Sequence, residues 1–265
     1  MILRGNVYSE SLNMHTGLSV LVPGNGPVKG SYKIAYLLHG LHGNHDTWLD
    51  NTMLPIFAKD YNVVFIMPEA GRSFYTNLHK GLTYFTYISE ELPEICRRVF
   101  NISGRREDTA IMGCSMGGYG ALKCALSKPE RYGFCGAVSS ACLFLKSILE
   151  GLRRDISPWI EKGGPQAEPI LRDLYAAFGD DLTWNPDDDI LELAGRLSGA
   201  PVKPVIYTAC GTEDNFREEN LHFKEKMEKL DFDFTYEEWQ GDHEWYFFDG
   251  ALKKAMEKWF LKIPE

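Results

Sequence analysis

Long apolar runs are missing from this 265-residue chain: no window approaches the roughly 20 consecutive apolar residues that a bilayer-spanning helix needs. The opening stretch MILRGNVYSESLNMHTG also lacks the apolar centre of a secretory signal, so the expected setting is soluble and cytoplasmic, with no membrane partner. Positive charge is in short supply as well. With 28 Lys and Arg against 37 Asp and Glu, the formal charge of −9 argues against a nucleic-acid surface and for a neutral or modestly charged partner. The six cysteines, Cys96, Cys114, Cys124, Cys135, Cys142 and Cys210, form no Cys-x-x-Cys pair and sit mostly in apolar segments, which reads as buried free thiols. Internal repeats and low-complexity segments are absent too.

What the chain has is alternation. Short apolar runs at 33–40, 63–71, 109–115, 134–141 and 204–211 end in glycine or a polar turn and are separated by segments of helical period around 46–59, 82–100, 116–127, 217–230 and 247–261. Strands covered on both faces read as continuous apolar runs, so the pattern predicts an α/β fold with a mostly parallel central sheet flanked by helices. The first 30 residues, where SVLVP is followed by GNGPVKG, predict an antiparallel hairpin joining that sheet, and DFDFTYEEWQ at 231–240 predicts a last strand near an edge. Residues 143–200 break the rhythm with helical stretches and Pro/Gly turns but no clear strand. The expectation is one domain over 1–265 with a helical insertion at 143–200, placed as a cap over the carboxyl edge of the sheet.

Within TAIMGCSMGGYGALKCAL at 109–126, Ser115 is set between Gly113 and Gly117. A Gly-x-Ser-x-Gly match alone arises by chance in roughly one chain in ten of this length at average residue usage. Context gives it weight: an apolar run before it and a helical pattern after it describe a sharp strand-to-helix turn that exposes the serine at a helix N-terminus. A serine hydroxyl attacks only when a base takes its proton and a carboxylate orients that base. Of seven histidines, His243 in QGDHEW follows the last expected strand, where a loop could return over the carboxyl edge. Asp214 in YTACGTEDN directly follows a buried run, whereas Asp187, Asp188 and Asp189 read as a helix-capping run and Asp242 is too close in sequence to orient its neighbour. Two amides are needed for a tetrahedral oxyanion; Met116 supplies one and Leu41, in LLHGLHGNHDTW, the other. His39, His42 and His45 recur every third residue, but on a Gly-interrupted loop with no completing shell, so no metal and no cofactor is expected.

These stretches together resemble the putative-esterase branch of the α/β-hydrolases, which includes tributyrin, feruloyl and acetylxylan esterases and S-formylglutathione hydrolases. The resemblance rests on YLLHGLHGNHDTWL, FIMPEAGRSFYTN, YISEELP, GCSMGGYGAL, CGTEDN and GDHEW, spanning 36–245, and GNHDTWL and GRSFYTN look closer to the tributyrin-esterase group. It implies an α/β-hydrolase fold and a serine esterase of small-molecule esters, with Ser115, Asp214 and His243 as the triad, in the family's Ser, Asp, His order, and the Leu41 and Met116 amides as oxyanion donors. Candidate pocket residues are His42, Tyr75, Thr76, Trp159 and Trp184. The segment 143–200 varies in such families and is where acyl or leaving-group choice is expected to be set. Thioester hydrolysis, acyl transfer, a noncatalytic ligand-binding role and a homo-oligomer all stay open at this level.

Overall fold

The computed structural model describes residues 1–24 and 31–260. The GNGPVKG turn lies, from residue 25 on, outside the described residues, as does residue 261 of the last expected helix. Eight strands make one sheet: β1 (Ile2–Ser9), β2 (Met14–Leu21), β3 (Lys33–Leu38), β4 (Val63–Pro68), β5 (Thr109–Cys114), β6 (Phe134–Val138), β7 (Val205–Gly211) and β8 (Phe234–Trp239). Their order is β1-β2-β4-β3-β5-β6-β7-β8; β1 and β2 pair antiparallel, β2 joins β4 antiparallel, and all other pairings are parallel. This is the mixed α/β architecture that the alternation predicts, with the N-terminal hairpin at one edge and β8 at the other.

The helices are α1 (Thr47–Asn51), α2 (Leu54–Phe57), α3 (Tyr84–Thr86), α4 (Leu92–Val99), α5 (Met116–Ser127), α6 (Leu145–Arg154), α7 (Ser157–Gly163), α8 (Ala167–Phe178), α9 (Ile190–Leu197), α10 (Arg217–Met227) and α11 (Trp245–Trp259). The single helix expected at 82–100 carries a π turn over Tyr87–Glu91 just ahead of Pro93, whose ring nitrogen cannot donate to the preceding turn.

Side-chain alternation explains the apolar runs. In β3, Ile34, Tyr36 and Leu38 join one core, which buries Leu92 and Cys96 of α4 and Leu122 of α5, while Ala35 and Leu37 join a second core with Trp48 of α1 and Phe247 and Met256 of α11. Residues 143–200 contain α6 to α9 and no strand among the described residues. Leu149, Leu174 and Ile190 of this segment are buried in the first core, so the insertion is packed onto the body of the protein. The aspartate run in it acts as the sequence suggests: Asp189 accepts the Leu191 and Glu192 amides at the start of α9. Asp188 pairs with Lys123, a lysine of α5 that is 2% exposed. All six cysteines are free, and burial pushes the thiols of Cys96, Cys114 and Cys124 up to about 12.

Candidate active site

Strand β5 delivers Ser115 into a conformation that side chains rarely adopt, φ 56° and ψ −122°. The strain is held from both sides. Ser115 donates its amide to Val138 O at 2.9 Å, and its carbonyl accepts from Gly118, Tyr119 and Ala141 at 3.0, 3.2 and 3.3 Å. The flanking glycines are required by close approach: a Cβ at Gly113 would fall 2.3 Å from Gly117 O, and one at Gly117 would fall 2.3 Å from Leu38 O. The turn therefore presents the serine hydroxyl at the N-terminus of α5.

Asp214 lies in the loop after β7, with its carboxylate buried, and accepts from the Phe216 amide at 2.7 Å and from His243 Nδ1 at 2.9 Å. Burial acts to raise its pKa, but the His243 hydrogen bond and the Phe216 amide outweigh that, and the group is held below the ordinary carboxylate value. A carboxylate only accepts, so Nδ1 of His243 carries the proton and Nε2 is the free basic nitrogen. The His243 ring is fixed between Phe216 and Phe248, each with its centroid 5.1 Å away. No hydrogen bond links Ser115 to His243 among the described residues; the two side chains face one cavity, and such contacts are often long before substrate is bound.

The loop after β3 is tied down residue by residue. Trp48 Nε1 donates to Leu38 O at 3.1 Å, Tyr75 Oη donates to His39 O at 2.9 Å, and Ala70 N donates to His39 Nε2 at 3.0 Å. Glu69 accepts from Gly71 N at 2.7 Å and from His45, both its amide and its ring, at 3.3 and 3.2 Å. Burial pushes the Glu69 carboxyl up, yet its contacts with His39, the Gly71 amide and His45 win, and its pKa falls to about 2. This network places Gly40 and Leu41 beside Ser115, with a Cβ at Gly40 reaching to 3.4 Å of Ser115 Cβ. Neither the Leu41 nor the Met116 amide has a protein acceptor among the described residues, so both are free to donate to a substrate oxygen. His39 and His45 are thus occupied as hydrogen-bonding residues, and no group of three or more His, Cys, Asp or Glu among the described residues is arranged to hold a metal.

Ser115 and His243 open onto a cavity of about 310 Å³. His42, one of the pocket candidates, lies on its wall, as does Leu41. Four other pocket candidates do not. Tyr75 is fully buried between His39 O and Gly120 of α5, where a Cβ would fall 2.4 Å from its ring. Thr76 is buried and donates to Ser73 O at 2.9 Å. Trp159 Nε1 donates to Ala167 O at 3.2 Å within the insertion, and Trp184 Nε1 donates to Asp189 Oδ2 at 3.2 Å with Lys146 Nζ 4.5 Å above its ring. The insertion reaches the cavity through Ile170 of α8 instead. Helix α8 is docked by an Arg72 Nε to Asp173 Oδ2 bond of 2.8 Å and by the His79 amide on Ala176 O at 3.0 Å. Phe216, Glu244, Trp245 and Phe248 also line the cavity, alongside Thr47 and Cys114, and are not among the sequence candidates. The available signal was their closeness to Asp214 and His243 in sequence.

A serine elbow on a mostly parallel sheet, facing a histidine and a buried aspartate from later strands, defines the protein as a serine hydrolase of the α/β-hydrolase fold. The "putative esterase" family model matches residues 9–259. An acetyl esterase of Caldicellulosiruptor saccharolyticus is 31% identical over 282 aligned positions, which cover 100% of this chain and 99% of that protein. Among solved structures, the Staphylococcus aureus fluorophosphonate-binding serine hydrolase FphF superposes with a TM-score of 0.82 at 24% identity, over 97% of each chain. An S-formylglutathione hydrolase, FrmB, of the same organism gives 0.80 at 24% identity, over 97% of this chain and 98% of that one. The chain belongs to the putative esterase family and is a carboxylic ester hydrolase of the serine type. No helix among the described residues is long and apolar enough to cross a membrane.

Proposed function

We propose that the protein hydrolyses short-chain acyl or aryl esters, of the acetyl and butyryl kind, through an acyl-enzyme on Ser115. Ser115 Oγ attacks the ester carbonyl carbon while His243 Nε2 takes its proton, and Asp214 stabilises the imidazolium that forms. The carbonyl oxygen, now negative, is received by the Leu41 and Met116 amides. Collapse breaks the bond to the alcohol, which leaves with the proton from Nε2. Water then attacks the acyl carbon, gives a proton to Nε2, and the second collapse returns that proton to Ser115 Oγ and frees the carboxylic acid.

The observation that carries this reading is the 2.9 Å bond from His243 to the buried Asp214, on a cavity that also exposes the strained Ser115. The cavity's modest volume and largely apolar wall fit a small acyl or aryl group, and the acetyl esterase relative agrees with that choice. The test is turnover of 4-nitrophenyl acetate, 4-nitrophenyl butyrate and S-formylglutathione by the native protein and by Ser115→Ala. Ester turnover that falls by about 10³-fold or more in the variant is the expected result. Ester turnover retained in Ser115→Ala, or a strong native preference for the thioester, would overturn the reading.

A further inference from the structure

Resting on the ester reading above, we propose that Glu244 gives this site a charge preference: it favours esters that are uncharged or carry an ammonium group, and disfavours esters carrying a carboxylate. The wall of the cavity is mostly apolar, with Ile170, Phe216 and Phe248 on it; its polar side chains include His42, Thr47 and, beside the catalytic histidine, Glu244. No Lys or Arg is among the residues that line it. The chain's net charge of −9 adds to the same sign.

Glu244 immediately precedes α11 in extended backbone, φ −128° and ψ 157°, and is exposed. Its carboxylate has no hydrogen-bonded or ion-paired partner among the described residues. The Glu244 carbonyl accepts the Phe247 and Phe248 amides of α11 at 3.0 and 3.1 Å, and its carboxylate caps none of the helix's first amides. With no paired partner, its charge is left to act on whatever enters the cavity. An apolar wall on one side keeps solvent from fully screening that charge, and the aromatic faces add attraction for a cation but none for an anion.

The chemical class that follows is a small neutral or ammonium-bearing ester. Glutathione thioesters, whose peptide carries two carboxylates and one ammonium, fall on the disfavoured side. Glu244 acts through its field on a charged group elsewhere in the substrate, so it is a selector and takes no part in the bond-making steps.

Three acetate esters of similar size isolate the effect: those of 3,3-dimethylbutanol, choline and 4-hydroxybutanoate, which are neutral, cationic and anionic, followed by acid release in a pH-stat. Native protein should show kcat/KM in the order choline, dimethylbutyl, butanoate, with about three- to fivefold between neighbours at low ionic strength and smaller gaps at 0.5 M NaCl. Glu244→Gln should bring both ratios towards one, and Glu244→Asp should keep them. Ratios that stay the same in Glu244→Gln, or that ignore salt in the native protein, would overturn the proposal while leaving the esterase intact. Failure to hydrolyse even the neutral acetate would instead overturn the ester reading on which it stands.

Discussion

Replacing Glu69 with glutamine probes the support under the loop after β3. Unfolded, this carboxyl titrates near 4.5; folded, it is held at about 2. At about 1.4 kcal/mol per pH unit between the two values, the ionised form would contribute at most about 3.5 kcal/mol. The contribution is smaller than that bound. His39 Nε2 already accepts the Ala70 amide at 3.0 Å, so its 3.4 Å approach to Glu69 is not a donated bond. What remains are the Gly71 amide and the His45 amide and ring, and a glutamine oxygen keeps part of these. Glu69→Gln should therefore cost about 1–2 kcal/mol at pH 7. The sign follows from a depressed folded pKa: the stabilisation is complete above pH 4.5 and is lost as pH falls towards 2. Urea unfolding of both proteins from pH 7 down to pH 3 reads it out. The gap between the two stabilities should narrow steadily below pH 4.5. An equal gap at every pH, or no gap at pH 7, would rule out this role for the Glu69 carboxylate.

Gly117→Ala would force a Cβ to 2.3 Å from Leu38 O and 2.7 Å from His39 O; it should lower the melting temperature by 5 °C or more and abolish ester turnover, read by calorimetry and a 4-nitrophenyl acetate assay. Ile170→Ala removes the insertion's contact with the cavity and should raise the butyryl-to-acetyl rate ratio by at least about threefold. Trp184→Ala, whose ring lies off the cavity against Lys146 and Asp189, should leave that ratio where it is while lowering stability.

The legibility of this chain varied with the kind of constraint. Both cores were readable because β3 to β7 are covered on two faces, which forces continuous apolar runs whatever the topology. The elbow was readable because two glycines are demanded by backbone contacts that no other residue tolerates. The π turn was not visible in the periodicity, since it comes from a single missing donor at Pro93. Tyr75 reads as a pocket residue by its place on a loop after a strand, but Phe74 and Tyr75 both have φ near 50°, and that pair turns the tyrosine inward beneath the elbow. The insertion's aromatic content suggested Trp159 and Trp184 as its contribution to the cavity. In fact Leu171, Leu174 and Phe178 bury one side of α8, and the adjacent Ile170 is carried to the cavity only by how that helix docks. Docking depends on long-range pairs such as Arg72 with Asp173, which composition does not disclose.

We propose Ser115 as the nucleophile, activated by Asp214 and His243. Intact-mass and peptide mapping of the native protein after brief exposure to a fluorophosphonate tests that most directly. One adduct is expected, on Ser115, formed at least about 10²-fold more slowly in folded Asp214→Asn. Labelling at another residue, or an unaltered rate in Asp214→Asn, would contradict it.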